Sequence, residues 1–213
     1  MFSKKGFVII CLVIFSALLI TGCLPTTPEE EYFTFDSATG TITGYDIAGG
    51  LAVVIPSTID GIAVEQIGDN AFYDKDLTSV IIPDSVTVIW AYAFYGNQLT
   101  SVTIPDSMTG IDDYAFANNQ LTSVTIPDSV TSFGEHAFAN NPLTSVTFGN
   151  SMTVIWAYTF AGNGLTSITI GAGVDINNDS TTMGTNTGFK AVYDSGGKLA
   201  GTYNYTGGVW VKA

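Results

Sequence analysis

The side chains able to do chemistry are few, and most of them stand in register. Tyr92, Tyr114, His136 and Tyr158 follow one another every 22 residues, with Asn70 in the same place one copy earlier. Two positions before each lie Gly68, Trp90, Asp112, Gly134 and Trp156. A strip of such rings suits binding rather than bond-making, because Trp and Tyr dominate interface energies and join an apolar body to a polar tip. Trp90, Tyr92, Tyr114, His136, Trp156 and Tyr158 are therefore candidate ligand contacts, for a protein or a glycan. The competing reading is that the rings cover the edge of a repeat. The matching phrases TVIWAYAF and TVIWAYTF then reflect duplication alone.

Catalysis has little to work with. His136 is the single His and belongs to the Tyr column. Asp112, Asp113 and Glu135 are carboxylates one copy apart. Paired carboxylates can serve as acid and base, but no residue pattern here supplies a substrate grip. No catalytic residue and no cofactor are expected. Asp84, Asp106 and Asp128 recur after Pro, with Asn150 closing the column. Asp175, Asn177, Asn178 and Asp179 form a second oxygen-rich group. Calcium prefers such ligands, yet neither group has the spacing of a calcium loop. Turn capping accounts for Asp after Pro, so no metal site is expected.

Charge excludes other classes. The chain has 6 Lys, no Arg and 19 Asp plus Glu, a formal net charge of −13. Nucleic-acid binding needs cations to neutralise phosphates, so that partner is excluded. Hydrophobic residues make up 46%, too many for an acidic disordered tail.

The N-terminus reads as a processing signal over residues 1–22. Lys4 and Lys5 precede an apolar run, Gly6 to Ile20, which is short for a membrane span of about 20 residues. The run ends in Leu19-Ile20-Thr21-Gly22-Cys23, small residues before a Cys. That order resembles the bacterial lipobox, with Cys23 acylated as the new N-terminus. Residues 23–31 are then the acylated Cys and an acidic, Pro-rich tether. Loss of Lys4 and Lys5 leaves 4 Lys against 19 acids, a formal charge of −15. Cys11 leaves with the signal, so no disulfide is expected. The expected location is the bacterial cell envelope, lipid-anchored through Cys23 and facing the exterior.

The elements that position the aromatic columns come from a repeat. Leu77, Leu99, Leu121, Leu143 and Leu165 are spaced by 22, each opening L-T-S-[VI]-x-[IF]. Pro83, Pro105 and Pro127 recur, then Gly149. Phe94, Phe116, Phe138 and Phe160 recur, as do Asn97, Asn119, Asn141 and Asn163. A longer copy from Leu51 to Phe72 carries five extra residues between Pro and Phe. A single short strand cannot bury its own apolar face, but stacked copies can, about 4.8 Å apart. The expected fold is mainly β, a leucine-rich repeat solenoid of 22-residue coils with β caps at both ends. Residues 32–50 form the N-terminal β cap and 51–170 the solenoid. Residues 171–213 supply a polar loop and a C-terminal β cap. Val102, Val124, Val146 and Ile168 are expected to form one internal column, with the Phe residues on the far side. Outward Ser and Thr, from Ser79 to Thr169, make a hydroxyl face. The Asn column is read as satisfying backbone groups in its own and the next coil.

The phrase I-P-D-S-V-T-x-I-x-x-x-A-F-x-x-N-x-L-T-S resembles the BspA-like surface leucine-rich repeat family. TITGYDIAGGLAVVIPSTID resembles that family's N-terminal cap, and GFKAVYDSGGKLAGTYNYTGGVWV its C-terminal cap. The likeness spans roughly residues 32–213. The family often has Cys where this chain has Asn97, Asn119, Asn141 and Asn163, and Gly where it has Trp90 and Trp156. The resemblance implies a surface-anchored protein that binds an extracellular or host protein and serves adhesion. A monomer is expected. The alternatives are an envelope spacer without a ligand and a glycan-binding accessory module.

Overall fold

The computed structural model describes residues 30–177, 183–185 and 188–213. Cys23, Asn178 and Asp179 lie outside the described residues.

A hairpin opens the fold. Phe33–Asp36 pairs antiparallel with Thr41–Tyr45, with a bulge between Thr34 and Phe35. Its second strand pairs parallel with Gln66–Ile67 and seeds a ladder through Val88–Ile89 and Gly110–Ile111. A bridge from Ile111 to Phe133 carries the ladder on. Tyr45 and Phe72 stack obliquely with ring centroids 5.3 Å apart, so the hairpin also closes the end of the core.

The leucine phrases form the opposite side. Ala52–Val54 pairs parallel with Ser79–Ile81. Ser123–Ile126, Ser145–Phe148 and Ser167–Ile170 stack parallel and in register. Alternation does the sorting: Val124, Val146 and Ile168 are buried, and Thr125 and Thr147 face solvent. The ladder is not continuous. Ser101–Ile104 keeps the alternation but makes no strand pairing. The coils remain pinned on the other side, so they splay here and open a cleft of about 370 Å³ against Ser123–Thr125. Val102 is consequently only half-buried, unlike the rest of its column.

Two internal columns hold the coils together. Phe72, Phe94, Phe116, Phe138 and Phe160 are fully buried and stack near-parallel, with successive centroids 4.9, 5.2, 5.5 and 5.6 Å apart. Burying one Phe is worth about 1.5–3 kcal/mol. The Asn column satisfies backbone groups in its own coil and in the preceding coil, not the next. Asn119 accepts from Leu99 N–H at 3.1 Å and donates to the carbonyls of Phe94 and Phe116 at 2.9 and 3.1 Å. Asn97, Asn141 and Asn163 repeat the pattern.

The extra length of the first copy is a small hairpin. Thr58–Ile59 pairs antiparallel with Ile62–Ala63. Its two-residue turn, Asp60-Gly61, has φ of 51° and 78°, the geometry that twists with the flanking strands.

The C-terminal end differs from expectation in two places. The stretch read as a loop after Ile170 contains another rung, because Asp175–Ile176 pairs parallel with Val154–Ile155 and buries Val174 and Ile176. The cap is not purely β either. Gly201–Thr206 and Val209–Lys212 form the hairpin, pairing onto Ser167–Ile170. Phe189 and Tyr193, however, lie on the helix Phe189–Ser195. Their spacing of four places both rings on one helix face over the core end. Tyr193 hydroxyl donates to the Gly171 carbonyl at 2.6 Å and accepts from Val174 N–H at 3.1 Å. Burial raises its pKa.

Candidate functional site

Each coil turns beside its core Phe through a residue with left-handed backbone. Asn70, Tyr92, Tyr114, His136 and Tyr158 all have φ between 56° and 59°. Asn visits that region readily, but for Tyr or His it costs about 1–2 kcal/mol. Stacking offsets the cost. Tyr92 lies 4.8 Å from Tyr114, Tyr114 is 4.5 Å from His136, and His136 is 4.8 Å from Tyr158, with planes within 12°. Each such contact contributes about 0.5–1.5 kcal/mol.

The structure therefore brings four of the six candidate residues into one ladder. Its inner rings cover one another's faces and present edges to solvent. Tyr114 shows the enclosure: burial first, then the neighbouring Tyr92, Asp113 and Glu135, raise its pKa. His136 Nδ1 is buried without a hydrogen-bond partner. Sequence reasoning missed a second stack beside the ladder, Tyr73 on Tyr95 at 5.1 Å and 4°. The signal was present, since both residues directly follow a core Phe in the phrase A-F-Y.

Trp90 and Trp156 stand apart from this ladder. They are 40% and 42% exposed. Trp90 Nε1 donates to Gln66 Oε1 at 2.7 Å, which fixes the indole against the preceding coil. The N–H groups of Trp90, Asp112 and Gly134 donate to the carbonyls of Ile67, Ile89 and Ile111, each at 2.9 Å. These residues are thus true equivalents on successive coils. The two Trp are three coils apart, about 14 Å at sheet spacing.

Beside Trp90 the surface is low. A groove of about 380 Å³ runs from Trp90 across Gly110, Asp112, Ser132 and Gly134. Gly134 has no room for a side chain: a Cβ there would sit 2.3 Å from Asp113 N. The crowding comes from Asp112-Asp113, where Asp113 N–H bonds Asp112 Oδ1 at 2.8 Å and Asp113 Oδ1 accepts from Glu135 N–H at 2.6 Å. Those carboxylates therefore hold backbone at the edge of the groove rather than forming an acid–base pair.

In the Pro-Asp column, Asp128 reaches the next coil and not its own turn. Asp128 Oδ1 accepts from Asn150 N–H at 2.6 Å. Gly149 replaces Pro because a Cβ there would lie 2.6 Å from Asp128 N. Asp175 faces Lys198 at 3.4 Å. Among the described residues, no three His, Cys, Asp or Glu side chains converge as metal ligands.

Residues 65–185, more than half of the chain, match the BspA type leucine rich repeat region in six copies. The chain belongs to the BspA-type leucine-rich repeat family. Two solved structures share the fold of this repeat protein. The crystal structure of the pneumococcal vaccine antigen PcpA superposes with a TM-score of 0.61 at 20% identity, over 76% of this chain and 43% of that one. The leucine-rich repeat protein of T. pallidum gives 0.57 at 23%, over 71% of this chain and 86% of that one. The BspA-type chain thus spans less than half the length of the pneumococcal protein. No curated protein matches its sequence. Solenoids of this family are typically non-catalytic.

Proposed function

We propose that this BspA-type repeat protein is a lipid-anchored binding module that captures an extracellular or host protein along the column from Trp90 to Trp156, in the groove beside Trp90. The observation that carries the reading is the pair itself: two half-exposed indoles in a column otherwise held by Gly and Asp, with Trp90 lining a groove that runs over Gly110, Asp112 and Gly134 as far as the coil before Trp156. A large amphipathic ring beside a desolvated trough is the usual anchor of a protein interface. Asp112, Asp113 and Glu135 make the surroundings acidic, which selects a partner bearing Lys or Arg, and the indole faces add cation–π attraction. Family members are bacterial and often surface-associated, and the Cys23 signal supplies the anchor. Adhesion is the biological use that follows.

A glycan is disfavoured on the Tyr–His ladder, where ring faces are already stacked on one another. The test is capture of proteins from extracellular material by the immobilised protein, with and without competing sugars. Trp90→Gly with Trp156→Gly should abolish capture and leave melting within a degree or two of the parent. Undiminished capture by this variant refutes the groove, sugar competition favours the glycan, and no captured protein or glycan at all favours a spacer.

A further inference from the structure

The outward face of the Ser-rich side changes character at its two ends. Through its middle, from Ser101 to Thr169, the outward positions are Ser or Thr. At the first end they are Ala52, Val54, Ser79 and Ile81, three of the four apolar and Ile81 52% exposed. At the last end they are Val209 and Val211, 58% and 52% exposed. Single exposed apolar residues are ordinary. Their confinement to the two extremities of one face is not, because solenoid caps normally carry a polar outer surface that keeps molecules apart.

Charge follows the same axis. Residues 30–70 hold seven Asp or Glu and no Lys, whereas residues 188–213 hold three Lys and one Asp. A chain of strong net negative charge therefore has an acidic head and a tail near neutrality, where Lys190 and Lys198 pair with Asp194 and Asp175 and Lys212 is left over. Strand direction completes the match. Ala52–Val54 ends its sheet and runs parallel to Ser79–Ile81. Val209–Lys212 ends the other sheet. It is antiparallel to Gly201–Thr206, itself antiparallel to Ser167–Ile170. It therefore runs in the same sense as the coil strands. A second copy translated along the solenoid axis brings Val209–Lys212 beside Ala52–Val54 in the parallel sense that relates successive coils.

We propose that copies of this chain associate head to tail, with Val209 and Val211 of one against Ala52, Val54 and Ile81 of the next. Such a contact is heterologous, so each assembly keeps one open head and one open tail and grows without closing. The patch is small, which sets the affinity in the weak range, about 10 μM to 1 mM. The charge contribution is screened by salt.

Two end-blocked variants of the full chain, held in mild detergent with the unmodified chain as reference, test this by sedimentation. Val209→Asp with Val211→Asp places carboxylates opposite the acidic head. Val54→Asp with Ile81→Asp places carboxylates opposite the apolar Val209 and Val211, and like charges keep this head from pairing with the Asp-bearing tail of the other variant. The unmodified chain should form species whose mean size rises with concentration and falls with added salt. Each variant alone should sediment as the smallest species. A one-to-one mixture of the two should restore a dimer and nothing larger, because only one open head and one open tail remain. Circular dichroism identical to the parent establishes that each variant is folded. Three results overturn the proposal: an unmodified chain of constant size up to about 1 mM, variants that assemble as it does, or a mixture that stays monomeric while the unmodified chain assembles. If a variant unfolds, the concentration and salt series of the unmodified chain still decides.

Discussion

Asn119→Ala probes the internal Asn column, and its cost can be worked bond by bond. Asn119 is 2% exposed. Its Oδ1 is the acceptor for Leu99 N–H, a fully buried group in the preceding coil. Its Nδ2 reaches the carbonyls of Phe94 and Phe116. Those carbonyls each have a second donor: Asn97 Nδ2 on Phe94 at 3.0 Å and Asn141 Nδ2 on Phe116 at 3.0 Å. The substitution therefore orphans one buried donor, Leu99 N–H, and leaves both carbonyls satisfied. One orphaned buried group costs about 1–3 kcal/mol. Urea denaturation followed by circular dichroism should show a loss in that range. Asn141→Ala should behave alike. The double variant should lose about 1–3 kcal/mol more than the sum of the singles, because Phe116 carbonyl then has neither amide. Additive losses would refute the shared-carbonyl account, and a loss below about 0.5 kcal/mol for Asn119→Ala would refute the orphaned donor as well.

Leu121→Asp places a carboxylate at a site with no exposure; with no cation or donor set to receive it, the loss should exceed about 4 kcal/mol, and circular dichroism should show an unfolded chain at room temperature. Tyr193 and Tyr114 have raised pKa values, chiefly through burial. The folded state therefore holds these protons more tightly than the unfolded one, so the associated stability is intact below the unfolded value near 10. It is lost as pH rises through the folded values, so the denaturation midpoint should be flat to about pH 9 and fall above about 10. Tyr193→Phe should reduce that alkaline fall. Cys23→Ala should abolish incorporation of labelled fatty acid and release the protein from the membrane fraction; incorporation that survives the change would remove Cys23 as the anchor.

The repeat was legible because burial in a solenoid depends on column, not on neighbours far along the chain. Leu99, Leu121 and Leu143 each meet the same environment, so one reading of the coil serves all. The hairpin at Thr58–Ala63 was also encoded, in the Asp60-Gly61 pair that favours left-handed backbone at both turn residues, but five extra residues gave length without direction. The C-terminal helix was hidden for another reason. Phe189-Lys190-Ala191-Val192-Tyr193 has both a helical spacing of rings and β-favouring residues. The core end it caps decides between them. The break at Ser101–Ile104 left no mark in the sequence, since its phrase is nearly identical to those that pair.

The aromatic columns separate by backbone rather than by residue type. All six candidate rings are large and recur at the coil spacing, so composition gives no reason to divide them. The left-handed turn supplies one. It lines up Tyr92, Tyr114, His136 and Tyr158 along the solenoid axis, where Tyr114 and His136 are stacked on both faces and Tyr158, at the end, stays 39% exposed. Trp90 has no such turn and lies two residues earlier, where its neighbours one and two coils on are Asp112 and Gly134. A ring with nothing above it keeps its face for a partner. The proposed binding capacity would then come from interrupting a repeat: the ladder that is complete stabilises the coil edge, and the column interrupted after Trp90 is the one that leaves a groove.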